Sequence, residues 1–467
     1  MQTTNNISNR TDITASTPQE RIQVHTSVKR GRPRQNPDLH KSIKRCLGVF
    51  ALLGAATMSF GANLYWKSDA SGGDDFLAPA NWSGAFTTSS DSLRVGGPIT
   101  TYPYSANLAR LTTGFGVETG AGDLNDALVV GGYLYQGNFE LACGSDTTAY
   151  FRSVIVGDTK IDAAEGDSFM TITSGTIKNA PVAVDSGYLT VGRNNATGNS
   201  AYYGVGYLYI NSGKVNMDRI TVGELKAGYT FAGEGHIVLQ NDGIIDLPCQ
   251  KTFDPPSMVG LRVNNGDFTW NDNGNSAVTT GFMSVNTATL KFQSTDNSFG
   301  TDGKGIVIEG GKPAGDGSAV FTTDALIDVT GLVDTANWVT LITAAGGVFF
   351  TNTTLMTAVP ATPLLTPASI AEGWGYRLLD LDGEAGNATA LQVRIQPTLT
   401  CHAANGKLNL SWPAVYKGWT LQAQTNSPSA GLTTSWAGSD VTGSDLVTSI
   451  EMDINPANPS VFFRLRQ

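Results

Sequence analysis

This chain of 467 residues predicts an all-β fold: a right-handed parallel β-helix followed by a small C-terminal β-sandwich-like domain. Three observations carry that expectation. Gly is abundant, at 54 residues, and only 15% of positions are Asp, Glu, Lys or Arg. Such a composition favours short strands and tight corners over helices. Alternating apolar and polar stretches then recur through the middle of the chain. Finally, the stretches align with one another around glycines, as coils of a solenoid do.

The beginning of the chain has a different character. Nine of the 30 Lys and Arg but only three of the 40 Asp and Glu lie in the first 61 positions. That leaves 21 bases against 37 acids on the remainder, a net −16. Residues 1–45 read as a disordered basic n-region, with Lys41, Lys44 and Arg45 preceding the apolar run Cys46–Thr57. Small residues follow at Ser59, Gly61 and Ala62, so 46–61 completes a signal peptide with cleavage after Gly61 or Ala62. The apolar run is shorter than the ~20 residues a bilayer requires, and no later segment approaches that length. Export to the cell surface, the surroundings, the outer membrane or the periplasm is the expectation, with no transmembrane span.

Lys29–Arg34 (KRGRPR) contains the Arg-Gly-Arg-Pro that lies in narrow A·T minor grooves. A DNA-associated protein is therefore one function class, and it requires an intact N-terminus inside the cell. Export would discard the segment. The acidic body repels phosphate backbones, so no nucleic acid is expected as partner of the mature chain.

Residues 62–119 are expected to form the entry and cap, 120–335 the coils, 336–397 the exit strands and 398–467 the terminal domain. Three segments define the coil: FMTITSGTIKN from Phe169, YLYINSGKVNM from Tyr207 and HIVLQNDGIIDL from His236. Each reads as strand, polar corner at Gly175, Gly213 or Gly243, then strand, with positive φ expected at the glycine. LRVNNGDFTW around Gly266 is a weaker fourth match. Val-Gly pairs at Val130-Gly131, Val156-Gly157, Val191-Gly192 and Val222-Gly223 mark a second landmark. In GYLYINSGKVNMDRITVG, Leu208, Ile210, Val215, Met217, Ile220 and Val222 share the inner side while Tyr207 and Tyr209 point outward. One such unit cannot bury its apolar face alone; stacked units can.

These residues also carry a resemblance. LYINSGKVNMDRITVG is similar to the repeats of exported proteins of Gram-negative bacteria known as autotransporter-associated or PEP-CTERM-associated β-strand repeats. NLYWKSDASGGDDFLAPANWSG, with Trp66 and Asn81-Trp82, resembles the entry segment of that class, and Trp338–Ile395 resembles its exit strands. LNLSWPAVYKGWTLQAQTN and the closing NPANPSVFFRLRQ are similar to its short terminal β-domain. The resemblance implies an exported, non-enzymatic scaffold, stalk or adhesin-like protein, with extracellular polysaccharide or other surface proteins as partners. Two departures leave the mode of attachment open. The part after the coils is too short for a membrane barrel, and the chain ends in Phe462–Gln467 without an apolar span.

Because parallel β-helices also include polysaccharide lyases, a polysaccharide-binding or -cleaving protein is the main alternative. His236 reads as an outward solvated residue, and His402 follows Cys401 at a domain junction. Cys143, Cys249 and Cys401 have no metal-ligand spacing and read as small buried apolar residues, a Cys143–Cys249 bridge being left open. Carboxylates cluster at Asp74-Asp75 and again at Asp380, Asp382 and Glu384. The latter group resembles half of a Ca²⁺ loop; its other reading is an acidic turn between exit strands. No other cofactor and no catalytic residue is assigned. Tyr202, Tyr203, Tyr207 and Tyr209 are a carbohydrate-stacking candidate, although a cross-coil aromatic ladder explains them more simply.

Overall fold

The computed structural model describes the chain from Asn63 to Gln467, apart from 68–73, 85–91, 97–107, 117–126, 132–136, 159–166, 181–186, 195–203, 226–232, 250–259, 273–275, 296–304, 311–315, 323, 351–353, 356–363, 381–387, 428 and 437–438. The leader, Cys46 and Lys29–Arg34 lie outside the described residues.

Among the described residues, three walls of eleven, eight and nine strands, parallel except for three antiparallel strands at the exit, form a parallel β-helix. We call them the first, second and third walls, in the order in which the chain visits them. One coil illustrates the circuit: Tyr188–Asn194 on the first wall, Val205–Ile210 on the second, Lys214–Asn216 on the third. The next strand, Arg219–Leu225, returns to the first wall beside Tyr188–Asn194. Complete circuits run from the one opening at Ala127–Val130 to the one closing at Val339–Ala344.

Register explains the core. Val95, Val130, Val156, Val191, Val222, Val263 and Val285 pair in one unbroken column, which Phe321 continues. All are essentially fully buried. The second wall contributes Leu141, Ile172, Ile210, Leu239, Trp270 and Phe292 in the same manner. Each residue covers its counterpart one coil away, so the apolar interior is continuous and no coil has a core of its own.

The glycines of the Val-Gly landmark turn the chain from the first wall toward the second. Gly192 has φ +72°, and a Cβ there would lie 2.0 Å from the Glu234 carbonyl oxygen. At the second-to-third corner Gly175 has φ +85°, as expected. Gly213 and Gly243 do not adopt positive φ; a Cβ at either would strike Ile172 or the Ile210 carbonyl of the preceding coil. Close approach selects glycine there, and Asn241 takes the left-handed conformation in the third corner with φ 55°. The fourth match also shifts. Gly260–Val263 lies on the first wall and Gly266–Asp272 on the second, so this segment spans a different corner from the other three.

Both ends of the helix are closed. At the entry, Trp82 packs edge to face on both Trp66 and Phe76, its neighbour Asn81 is buried, and Trp82 Nε1 donates to Phe76 O at 2.6 Å. Arg110 bridges Asp74 and Glu140 at 2.6 Å each, joining the cap to the second wall. At the exit, Ala390–Ile395 and Trp374–Leu379 add to the third wall as antiparallel strands. The short helix Pro367–Ala371 closes the second wall. Ile327 N–H donates to Leu364 O and Val329 N–H donates to Ser369 Oγ, which satisfies the edge of Leu326–Gly331. A closed edge cannot template another chain.

The terminal domain comprises two antiparallel sheets. Thr400–Ala404, Lys407–Ser411 and Ser449–Asp453 form one, and Thr420–Thr425 with Val461–Arg466 forms the other. Asn405-Gly406, both with positive φ, makes the two-residue hairpin turn. Buried Leu410, Trp412 and Leu421 belong to the same apolar cluster as the coils. Tyr416 ties the domain to the exit strand by donating its hydroxyl hydrogen to Ile395 O. No helix among the described residues is long and apolar enough to cross a membrane.

Candidate functional site

The outer face of the second wall carries a column of stacked rings and charges. Tyr207 lies between Phe169 and His236 in register. Its ring stacks on Phe169 at 5.1 Å and 17°, and on His236 at 4.5 Å and 16°. His236 Nδ1 meets Asp267 at 3.2 Å and its Nε2 meets Glu234 at 3.2 Å, while Lys291 Nζ reaches Asp267 at 2.7 Å. Parallel pairing produces this arrangement, because outward residues of successive coils stand about 4.8 Å apart, close to the thickness of stacked rings.

Charge follows from that geometry. The hydrogen bond to Asp267, against the opposing effect of burial, holds the His236 imidazolium above the usual histidine range. Burial opposes ionisation of Asp267, but the bonds from His236 and Lys291 outweigh it and keep its carboxyl below the ordinary value. Burial, with nearby carboxylates, pushes the Tyr207 hydroxyl up. His236 is thus a mostly covered member of a ladder and not the solvated residue expected from its strand position.

Tyr209 also points outward, one column along from Tyr207, with Thr171 and Val238 as register partners. Tyr202 and Tyr203 lie outside the described residues. The ring stack therefore recruits Phe169 and His236, which a search for tyrosines does not find. Their common outward parity in the aligned repeats was the available signal.

The acidic candidate is described only at Asp380, which is exposed and follows the strand Trp374–Leu379; Asp382 and Glu384 lie outside the described residues. Among the described residues no group of three or more His, Cys, Asp or Glu is arranged to hold a metal. Asp74 is engaged by Arg110. Cys143 and Cys249 are buried free thiols, so no bridge joins them. Cys143 Sγ donates to Thr113 O at 3.0 Å, and burial pushes its thiol up to about 11. Cys401 departs from expectation, being exposed beside exposed His402 on the strand Thr400–Ala404.

Compared with known proteins, the chain matches no family model, no curated protein and no solved structure.

Proposed function

We propose that this chain is an exported, non-enzymatic β-helical protein of the cell surface or its surroundings, acting as a scaffold, stalk or adhesin-like element. The observation that supports it most is the closed solenoid. In-register columns run the length of the first wall, on the order of 40 Å at about 4.8 Å per coil. Such an object transmits load along its axis, and its capped ends limit assembly with other copies. The groups best suited to catalysis are committed to structure: His236 is held by Asp267 and Glu234, and the Cys143 thiol is buried. The likeness of the repeats to autotransporter-associated and PEP-CTERM-associated strands supports the same reading.

A second reading is polysaccharide binding on the second wall, where the outward stack of Phe169, Tyr207 and His236 presents a strip of ring edges. Expression of the full chain in a Gram-negative host with N-terminal sequencing of the product tests export. A first residue near Ala62 or Asn63 is expected; an intact N-terminus in the cytosol overturns the proposal. Incubation with a glycan panel separates the two readings. Retention without cleavage favours binding, and release of unsaturated products rules out a non-enzymatic role.

A further inference from the structure

The exit end of the third wall carries an outward basic patch. Leu391, Val393 and Ile395 of the strand Ala390–Ile395 face the core, so Gln392 and Arg394 between them face out. Register sets Gln392 between Thr340 and Arg377 of the flanking strands. Gln392 is more than nine-tenths buried, and both ends of its amide are engaged. Its Nε2 donates to Thr340 Oγ1 and its Oε1 accepts from Arg377 Nε, each at 2.8 Å. A buried partner therefore fixes the position of Arg377.

Trp338, immediately before the strand Val339–Ala344, gathers both cations. The guanidinium carbon of Arg377 lies 4.2 Å from its ring centre, and that of Arg394 lies 4.3 Å from it. The two carbons are thus separated by no more than twice that distance. Stacking occupies the flat face of a guanidinium and leaves its N–H edge for an acceptor. Arg394 Nε is shielded from solvent and has no hydrogen-bond partner. Among the described residues neither guanidinium is paired with a carboxylate. Burial depresses the pKa of Arg377, and the charge of Arg394 adds to the effect.

The terminal domain holds a similar arrangement in which the acid is supplied. Arg464 lies over Trp436 at 4.3 Å, and its Nε donates to Oε1 of buried Gln422 at 2.8 Å. The other end of that glutamine donates to Asp440 at 2.6 Å, and Arg466 approaches the same carboxylate at 3.7 Å. At the exit, by contrast, the glutamine leads to the neutral Thr340 hydroxyl, and a second arginine shares the ring. Two like charges are held together there with no counter-charge, in a chain whose formal net charge is −10. An anion between them turns that repulsion into attraction.

We propose that Arg377 and Arg394, gathered by Trp338, bind a single oxyanion group, a carboxylate or a sulfate. In a charge-assisted fork the centre of such a group lies about 4 Å from a guanidinium carbon, so one group reaches both. Each arginine donates from its terminal N–H groups, the Arg377 Nε being already given to Gln392. The oxyanion is either a free ion or the acid group of a sugar. The site lies on the third wall and depends on neither reading of function above.

Calorimetric titration of the full chain tests it, with a galacturonate trimer, a neutral galactose trimer and sulfate at constant ionic strength. Saturable binding of at least one of the two anions is expected. Arg377→Gln and Arg394→Gln should each weaken that binding about tenfold, equivalent to ~1.4 kcal/mol, and together abolish it. Should a glutamine variant fail to fold, Arg394→Lys decides: it keeps the charge, loses the planar fork and should still weaken binding severalfold. Binding of the acidic trimer far tighter than that of sulfate identifies an acidic sugar; sulfate binding as tight or tighter identifies a free ion. No saturable binding of either anion, equal binding of the neutral and acidic trimers, or wild-type affinity in the arginine variants overturns the proposal.

Discussion

Tyr207 and His236 lie flat against each other across two coils, 4.5 Å between ring centroids, although 29 positions separate them in sequence. Below His236 the column continues into Asp267, which Lys291 of the next coil reaches from one column along. Aromatic stacking thus passes directly into an ionic ladder on one wall, and the first prediction follows from that junction.

The His236–Asp267 pair should make stability depend on pH in a defined window. His236 is raised, so its contribution is complete below the ordinary value of 6.5 and is lost as pH climbs through the folded value. Asp267 is lowered, so its contribution is complete above the ordinary 3.8 and is lost as pH falls through the folded value. The pair therefore stabilises most between pH 3.8 and 6.5. Unfolding of wild type and His236→Gln should differ by about 1 kcal/mol in that window, and the curves should converge in alkaline solution. A difference constant across pH would show that His236 acts by packing alone.

Corner glycines should be sharply unequal. Gly192→Ala forces a Cβ against Glu234 O in the left-handed region and should cost about 3 kcal/mol or more. Gly406, at φ +74°, has nothing within 4 Å of an added Cβ. Gly406→Ala should cost only the conformational penalty, about 1–2 kcal/mol. Denaturant titration of the two variants measures both.

Ser369→Ala should uncover the end of the second wall. The change leaves Val329 N–H, received at 3.0 Å by Ser369 Oγ, without an acceptor in a buried setting. A loss of about 1–3 kcal/mol is expected, with faster amide exchange at Val329. Exchange unchanged at Val329 would mean another group satisfies it.

How far the sequence disclosed this molecule depends on which direction a residue faces. Period two identifies the inward residues well, and Leu208, Ile210, Val215, Met217, Ile220 and Val222 are all fully buried. It does not identify the wall. LRVNNGDFTW has the parity of the other repeats but turns at the first-to-second corner, because alternation reads alike at either bend. Glycine has the same ambiguity: Gly175 answers a backbone angle, whereas Gly213 and Gly243 answer crowding from the coil before. The covered face of the first wall did leave a trace in the near-continuous runs ALVV and SVIV, the pattern of strands buried on both sides. Asn405-Gly406 announced the terminal hairpin equally directly. Sites are harder to read than cores. Phe169, His236 and Asp267 meet only because coils of unequal length bring them into register, and no short motif encodes that.

The central claim is that successive coils stack in parallel, and paired spin labels measure it most directly. In a Cys401→Ser background, one label at Thr171 is combined with a second at Tyr209, Val238 or Thr269, outward residues of the next three coils. The account predicts separations that lengthen by about 5 Å per coil, in that order. Separations that fail to rise in that order, or that match strands folded back in hairpins, would contradict it.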